Sequence, residues 1–568
     1  MPHALTIVRS LARRGLAVDV ASHIERPLAG CSRHVRRRMR CPDPLADAAG
    51  WLDWLRAATA DGAYRLVIPV TERTVVALLE SEFADRRDVF ALAPREAMAV
   101  ALDKGRTAEL AISLGIPVPF AARVRNEAEL AAASADLSYP AVVKPASSIG
   151  QGTGVRRQLS VAYAFGEDEL RSKAREFLAW GDVLLQSYAG GQGVGVELIA
   201  DHGRIVFAFQ HLRLHEVPLT GGGSSLRASV PVEPVLLEAS QKLMAALDWH
   251  GVAMVEFKWN PDNRTFTLME INGRFWGSLP LAAAAGADFP AMLYELLVEG
   301  AVRPRPPART GVYCRKLSSD LYWHELVVRR DGPAGIVRFP GRGEILKDLL
   351  LSLSPRHHFD VQQWRDPWPG LVDLGRIAGD YLSRLGRWRQ GREALRRHRQ
   401  PWRDGSAERQ LRGARRILFL CYGNINRSAL AERCFRTLGA ASSVLAVSAG
   451  FHEREGRPAD PVMVEVAREA GIDLGGWSSQ CLTADMVADS DAILVMEQRH
   501  YERLVKLYPE AAGKTFLLGM AAGAACPGGE IADPFGKPRL EYERCAREVI
   551  GGVRRLLEIL PATITPTR

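Results

Sequence analysis

The stretch ILFLCYGNINRSALAE, Ile417–Glu432, decides how the last third of this 568-residue chain is read. Four apolar residues, Ile417 to Leu420, stop at Cys421. A short apolar run bounded by turn residues is a buried strand. Gly423 and Asn424 permit a tight turn, and a helix is expected to begin near Ser428–Ala429 and run to Leu438. A loop bent between a strand and a helix start points its N–H groups inward and forms a site for a tetrahedral dianion. The helix dipole and Arg427 favour a thiolate at Cys421, which makes it a nucleophile at neutral pH. At this composition a Cys-x5-Arg match arises about once by chance, so the setting carries more weight than the spacing. Asp533, in IADPFG (Ile531–Gly536), stands on a loop as general acid for a leaving oxygen and base for an attacking water.

Working outward, strands and helices alternate. A strand is expected in SSVLAVSAG, a helix near 460–470, a strand in DAILVME and a last helix over 540–558. That alternation predicts a doubly wound parallel α/β domain over 416–560. ILFLCYGNINRSALAE, SAGFHEREGRPADP, GIDL, AILVMEQRHYERL and IADPFG occur in an order that resembles the low-molecular-weight protein tyrosine phosphatase family. The resemblance implies Cys421 as nucleophile, Arg427 as phosphate clamp and Asp533 as acid, with no cofactor. It implies a phosphate loop of Tyr422, Gly423, Asn424, Ile425, Asn426 and Ser428. Within that loop, Ser428 assists thiolate release and Asn424 braces the backbone. Three positions depart from the family pattern. Asn426 replaces a second loop cysteine, the charged run His452–Glu455 replaces an aromatic wall, and Phe535 replaces a tyrosine. A resolving-cysteine route through Cys481 or Cys526 to arsenate reduction is the weaker alternative, because Asp533 suits ester hydrolysis.

Upstream, AVVKPASSIGQGTGV delivers Lys144 on a strand and then Gly150, Gly152 and Gly154 on a loop. Glycines let backbone N–H groups approach phosphate oxygens, and lysine adds a point charge. VEFKWNPDNRTFTLMEINGRFW reads as strand, turn and strand, with the turn at Asn260–Asn263. Period-two alternation puts Glu270, Asn272 and Arg274 on one face, and Glu256 joins them from the partner strand. Two carboxylates and an amide oxygen suit magnesium, and the arginine suits a phosphate.

These residues together resemble the ATP-grasp superfamily over about residues 1–310, by order and spacing. LDKGRTAELAISLGIPVP is similar to the family's first nucleotide-binding lysine, here Lys104, with its helix and turn. LLQSYAGGQGVGVELI resembles the hinge that holds adenine, with Gln186, Ser187, Tyr188, Ala189 and nearby Glu197. MEINGRFWGS resembles the magnesium-binding strand, which places Glu256, Glu270 and Asn272 on metal and Arg274 on ATP. The resemblance implies ATP, two magnesium ions, a small-molecule carboxylate and an amine, joined through an acyl phosphate. His211 and Arg213 are candidates for holding the acyl substrate.

Composition agrees with several globular domains: 47% of residues are apolar and 24% charged. Five segments are expected. They are a small α/β pre-domain (1–95), a two-lobed α+β ATP clamp (96–310), a Trp/Pro/His-rich extension without a motif (311–383), an arginine-rich linker (384–415) and the α/β domain at 416–560. Met1 falls directly before a helical pattern where a strand is expected, so a first strand is missing or the start lies upstream. Twelve arginines against Glu393, Asp404 and Glu408 lie between Arg384 and Arg416, which accounts for the whole net charge of +9. The remainder is formally neutral, so no nucleic-acid partner is expected. The linker is a solvated segment or a contact for an anionic surface. Eight scattered cysteines without metal-ligand spacing point to a reducing, cytoplasmic setting. Leu279–Leu297 reads as a packed helix rather than a membrane span, and no leader is apparent.

The expectation is therefore a bifunctional enzyme: an ATP-dependent carboxylate–amine ligase and a cysteine-dependent phosphatase acting on phosphotyrosine in protein. Two rivals are a phosphatase fold that only recognises phosphate, and a degenerate ligase beside an active phosphatase.

Overall fold

Gln192–Asp201 lies third in a seven-stranded sheet whose order is Thr265–Asn272, Gly251–Asn260, Gln192–Asp201, Arg204–Val217, Gly223–Val230, Tyr313–Arg315, His357–Phe359. All neighbours are antiparallel except the last pair. This computed structural model describes residues 1–560 apart from 61, 63, 135–136, 148, 152–155, 160, 333–335, 441 and 538. Two compact units emerge, Met1–Gly379 and Asp380–Arg568.

In the first unit the period-two pattern divides the sheet into two faces. Val194, Val196, Leu198, Val255 and Phe257 pack into one core with Leu236 and Leu243 of the helix Pro234–Ala246. Burying each such large apolar side chain contributes about 1.5–3 kcal/mol. The opposite face carries the polar side chains of Glu197, His211, Arg213 and Glu256, with a second core of Ile199, Phe209, Met254 and Trp276 beside them. Gly193 and Gly195 make that face possible. A Cβ at Gly195 would stand 2.3 Å from His211 Cε1, and one at Gly193 would stand 3.0 Å from Arg213 Cδ. The missing side chains leave room for the neighbouring strand's side chains to lie across.

A separate antiparallel sheet, Ala121–Val124, Val183–Ser187, Ala141–Pro145, Ala162–Ala164, carries Lys144. The Ile149–Gln151 and Arg156–Gln158 hairpin follows it. Gly152 and Gly154 lie outside the described residues.

Several expectations change. The strands of the pre-domain are Val18–Ser22 and Val35–Arg40, paired in parallel, and Val67 makes an isolated bridge to Phe90. Residues 311–383, expected as a C-terminal extension of the ligase region, contribute Tyr313–Arg315 and His357–Phe359 to the large sheet. The linker is helical: Pro367–Arg403 continues through most of it and Ser406–Arg412 follows. Leu279–Ala285 and Phe289–Glu299 are two segments bent by 94°, with Leu279, Leu281, Phe289 and Met292 buried. Among the described residues no single helix is long and apolar enough to cross a membrane.

The second unit holds four parallel strands in the order Leu445–Gly450, Arg416–Cys421, Ala492–Val495, Thr515–Leu517. Ile417 and Phe419 pack on one side with Leu430, Val549 and Val553, from helices Arg427–Leu438 and Arg539–Ile559. Leu418 and Leu420 pack on the other with Val487 and Leu504. Side chains buried alternately on both faces explain the continuous apolar run. The doubly wound expectation is met, and the helix after Cys421 begins at Arg427.

Candidate active sites

Ligands of doubly wound sheets sit at the carboxyl ends of the strands. Cys421 ends one strand, Gly450 ends its neighbour, and Glu497 lies two residues beyond a third. Cys421 Sγ is 3.0 Å from Ser428 Oγ and accepts the Asn424 N–H at 3.2 Å. Asn424 has a positive φ of 52°. Its Nδ2 donates to Ser428 Oγ at 3.0 Å and Ser448 Oγ at 2.8 Å. Its Oδ1 accepts from Gln480 N at 2.8 Å, and its carbonyl accepts from Trp477 Nε1 at 2.8 Å. These contacts hold a conformation that an L-residue adopts at a cost of about 1–3 kcal/mol. Gly450 supports the loop from below, since a Cβ there would stand 2.8 Å from Tyr422 O and 3.0 Å from Asn424 N.

Arg427 is buried at the helix start. Its guanidinium reaches Glu497 at 2.5 Å, Asp533 at 2.6 Å and Ile531 O at 3.1 Å. Burial works against its charge, but Cys421, Asp533 and Glu497 outweigh burial and raise its pKa. Burial alone would raise the Glu497 carboxyl, yet Arg427 brings it below the usual range. His500 lies 3.7 Å from Glu497; burial and then Arg427 push its pKa down to about 3. Tyr422 and Phe535 are exposed, and Tyr422 packs edge-on to His452 within the charged run. Asn426 is buried at the helix N-cap position. The structure therefore gathers Cys421, Asn424, Arg427, Ser428 and Asp533 about one cup.

The first unit draws its site from distant segments. Glu256 and Glu270 are direct partners across their strand pair, and Asn272 Nδ2 donates to both, at 3.2 Å and 3.1 Å. Burial pushes Glu256 up, while the cations Lys104 and Lys144 overcome burial and hold Glu270 down. Lys144 is itself brought to about 8, by burial first, with Glu270 opposing and Lys104 assisting. Glu270, Asn272, Lys104, Arg274 and Glu72 line one cleft. Gln186 and Ser187 close the strand Val183–Ser187, and the Tyr188 ring packs edge-on to Tyr163. Ala189 follows Tyr188 beyond the end of that strand, and Gly150 lies on the hairpin strand Ile149–Gln151.

Three placements differ from expectation. Arg274 leaves the strand after Asn272 and turns toward Glu72, 3.9 Å away, though it still lines the cleft. Glu197 and His211 do not face the hinge or an open acyl site. They are fully buried 2.9 Å apart, and Ser278 Oγ donates to Glu197 at 2.6 Å. Strand register turned them onto the polar face, where Ser278 Oγ also lies 3.3 Å from His211 Nδ1 and Glu197 Oε2 has no hydrogen-bond partner among the described residues. Arg213 bonds Glu256 at 2.5 Å and Glu216 at 3.3 Å, so it belongs with the carboxylate pair. The donor set fits a divalent cation: two half-buried, adjacent carboxylates share one amide and present hard oxygen donors on one face.

Residues 416–565 match the family model described as low molecular weight phosphotyrosine protein phosphatase. The probable low molecular weight protein-tyrosine-phosphatase AmsI of Erwinia amylovora is 40% identical over 127 residues, covering 22% of this chain and 84% of that protein. This chain belongs to the low molecular weight phosphotyrosine protein phosphatase family. The phosphatase Wzb of Escherichia coli K12 is 36% identical over 142 residues, 25% of this chain and 87% of that protein. The solved AmsI structure covers 26% of this chain and 92% of its own, with 34% identity and a TM-score of 0.24. Residues 180–319 match the model described as ATP-grasp in the biosynthetic pathway with Ter operon. An L-amino acid ligase of Bacillus licheniformis covers 54% of this chain and 75% of its own, at 18% identity and a TM-score of 0.42. The chain thus joins an ATP-grasp region to a tyrosine phosphatase region, both of enzyme families.

Within the phosphatase region, sequence reasoning missed Glu497, Ser448, Trp477 and Gln480 as supports of the loop and its arginine. Glu497 could have been found by its place just past a strand's carboxyl end. In the ATP-grasp region it missed Glu72 and Glu216, for which no spacing pattern exists.

Proposed function

We propose that this chain catalyses two reactions. At the C-terminal cup it hydrolyses a phosphomonoester, with phosphotyrosine in protein as substrate. Cys421 Sγ attacks phosphorus, the ester P–O bond breaks, and Asp533 gives its proton to the leaving oxygen. Water then attacks the cysteinyl phosphate, Asp533 takes its proton, and the S–P bond breaks to return Cys421 with free phosphate. Loop N–H groups and Arg427 hold the phosphoryl oxygens throughout. Ser428, 3.0 Å from the sulfur, donates to the departing thiolate. The pair Cys421–Ser428 beneath a buried Arg427 that touches Asp533 is the observation that supports this reading most.

In the first unit, a carboxylate of a small molecule attacks the ATP γ-phosphorus, the bridging P–O bond breaks to release ADP, and an amine then attacks the acyl phosphate, expelling phosphate and giving up a proton to form the amide. Lys104, Lys144 and Arg274 hold the phosphate oxygens, with the hinge Gln186–Ala189 on the base. Glu256, Glu270 and Asn272 would hold magnesium, one ion or two, which supplies charge neutralisation at the phosphates when bound. The exposed arginines 387, 389, 392, 396, 397 and 399 of the helix Pro367–Arg403 suit an anionic surface.

A crossed experiment on the full chain tests both reactions. Cys421→Ser should lose phosphatase activity toward a phosphotyrosyl peptide by more than about a thousandfold and keep carboxylate-dependent ATP consumption. Glu270→Gln should do the reverse. Tight phosphopeptide binding by the parent without turnover at any pH would replace the hydrolytic reading with a recognition module. No Mg-ATP binding by the parent would remove the ligase.

A further inference from the structure

The segment without a sequence motif holds a second polar cluster, separate from the carboxylate pair of the ATP cleft. His215, on the strand Arg204–Val217, stacks flat on Trp323 with ring centroids 3.5 Å apart and planes 5° from parallel, so its ring cannot swing. Its Nδ1 is 2.8 Å from Asp320 Oδ1, and its Nε2 is 3.8 Å from Asp348 Oδ1. Asp320 and His324 lie one turn apart on the helix Leu317–Arg329, and Asp348 comes from the helix Arg342–Leu351. His324 Nε2 lies 3.2 Å from Asp348 Oδ2, yet it makes no aligned hydrogen bond among the described residues.

Charge and geometry raise the same question. Two carboxylates face one guanidinium, Arg315, which bonds both. With neutral imidazoles the cluster is one positive charge short, inside a site where Asp320 is 2% exposed. The missing charge is either a proton on an imidazole or a cation. One oxygen or nitrogen from each of His215, Asp320 and Asp348 lies within 4.8 Å of the others. Two ligands about 2.1 Å from one ion at the tetrahedral angle sit about 3.4 Å apart. The 2.8 Å and 3.8 Å separations that His215 makes with Asp320 and Asp348 bracket that edge.

We propose that His215, Asp320 and Asp348 bind one divalent transition-metal ion, with His324 as an outer imidazole beside Asp348. Imidazole with carboxylate selects a zinc-like ion over magnesium. Arg315 is the outer partner that orients both carboxylates. The ion clasps the two helices of residues 317–351 to the large sheet, and its role is structural.

The test strips the full-length chain with chelator, reloads it with Co²⁺ in excess Mg²⁺, and reads metal content and the visible d–d spectrum. One Co²⁺ per chain with a tetrahedral-type spectrum is expected, and it should survive in Cys421→Ser. The double variant Asp348→Asn/His324→Gln should lose that equivalent. The melting temperature of the stripped parent is the companion measurement, because the double variant could misfold. It should rise on reloading. Absence of a bound equivalent in the parent, an equal equivalent in a folded double variant, or no rise on reloading would each overturn the proposal in favour of a metal-free ion-pair cluster.

Discussion

The two sites proposed to handle phosphate are built in opposite ways. The phosphatase cup takes its sulfur, hydroxyl, backbone donors and arginine from eight consecutive residues, Cys421 to Ser428. The proposed ATP cleft draws on Lys104, Lys144, Glu256, Glu270 and Arg274, from separate helices, strands and loops spread over some 170 residues of chain. In the first, local backbone geometry sets the chemistry. In the second, strand register does, so a change of packing far from any phosphate can disturb it.

That contrast can be broken at three points. The largest effect should come from Asp533→Asn, the one member of the cup's chemistry outside the loop. Phosphatase turnover of a phosphotyrosyl peptide should fall by about a hundredfold to ten-thousandfold, and by less for p-nitrophenyl phosphate, whose leaving group needs no proton. An equal fall for both substrates would remove Asp533 as the acid. Next, Gly195→Ala should act on the first unit through packing alone. The new methyl collides with the His211 ring, costing about 1–3 kcal/mol in denaturant unfolding. Phosphatase activity of the same protein should be unchanged, and a fall there would contradict two independently folded regions.

The smallest effect concerns pH. His500 is buried, its two ring nitrogens have no partner among the described residues, and its pKa of about 3 lies below the ordinary 6.5. The unfolded chain takes up a proton as pH falls below 6.5, while the folded chain does not until about 3. This contribution to stability is therefore fully present above pH 6.5 and lost as pH falls from 6.5 toward 3. Between pH 7 and pH 5.5, His500→Gln should lose about 1 kcal/mol less stability than the parent, read by urea unfolding. An identical pH slope in parent and variant would show that His500 is not held neutral.

The same contrast explains what could be read in advance. Cys421, Arg427 and the strand before them were legible because the loop's requirements fall on adjacent positions. Glu270 and Asn272 were legible because two residues apart on a strand means one face. Glu197 was misplaced because proximity to the hinge in sequence does not tell which side of a sheet a side chain takes. Glu497, seventy residues from Arg427, reaches it only through the order of the parallel strands. The cluster around Asp320 was invisible for a similar reason, since His215 and Asp348 are separated by 133 positions and meet only where short strands extend the sheet.

Arg427 begins in the grip of Glu497 and Asp533. On the proposed reaction, an incoming dianion would have to displace two anions from that guanidinium, which would weaken its hold on the cup. The same rivalry works on the way out: once the spent anion loosens, the carboxylates reclaim the guanidinium and speed the vacating of the cup.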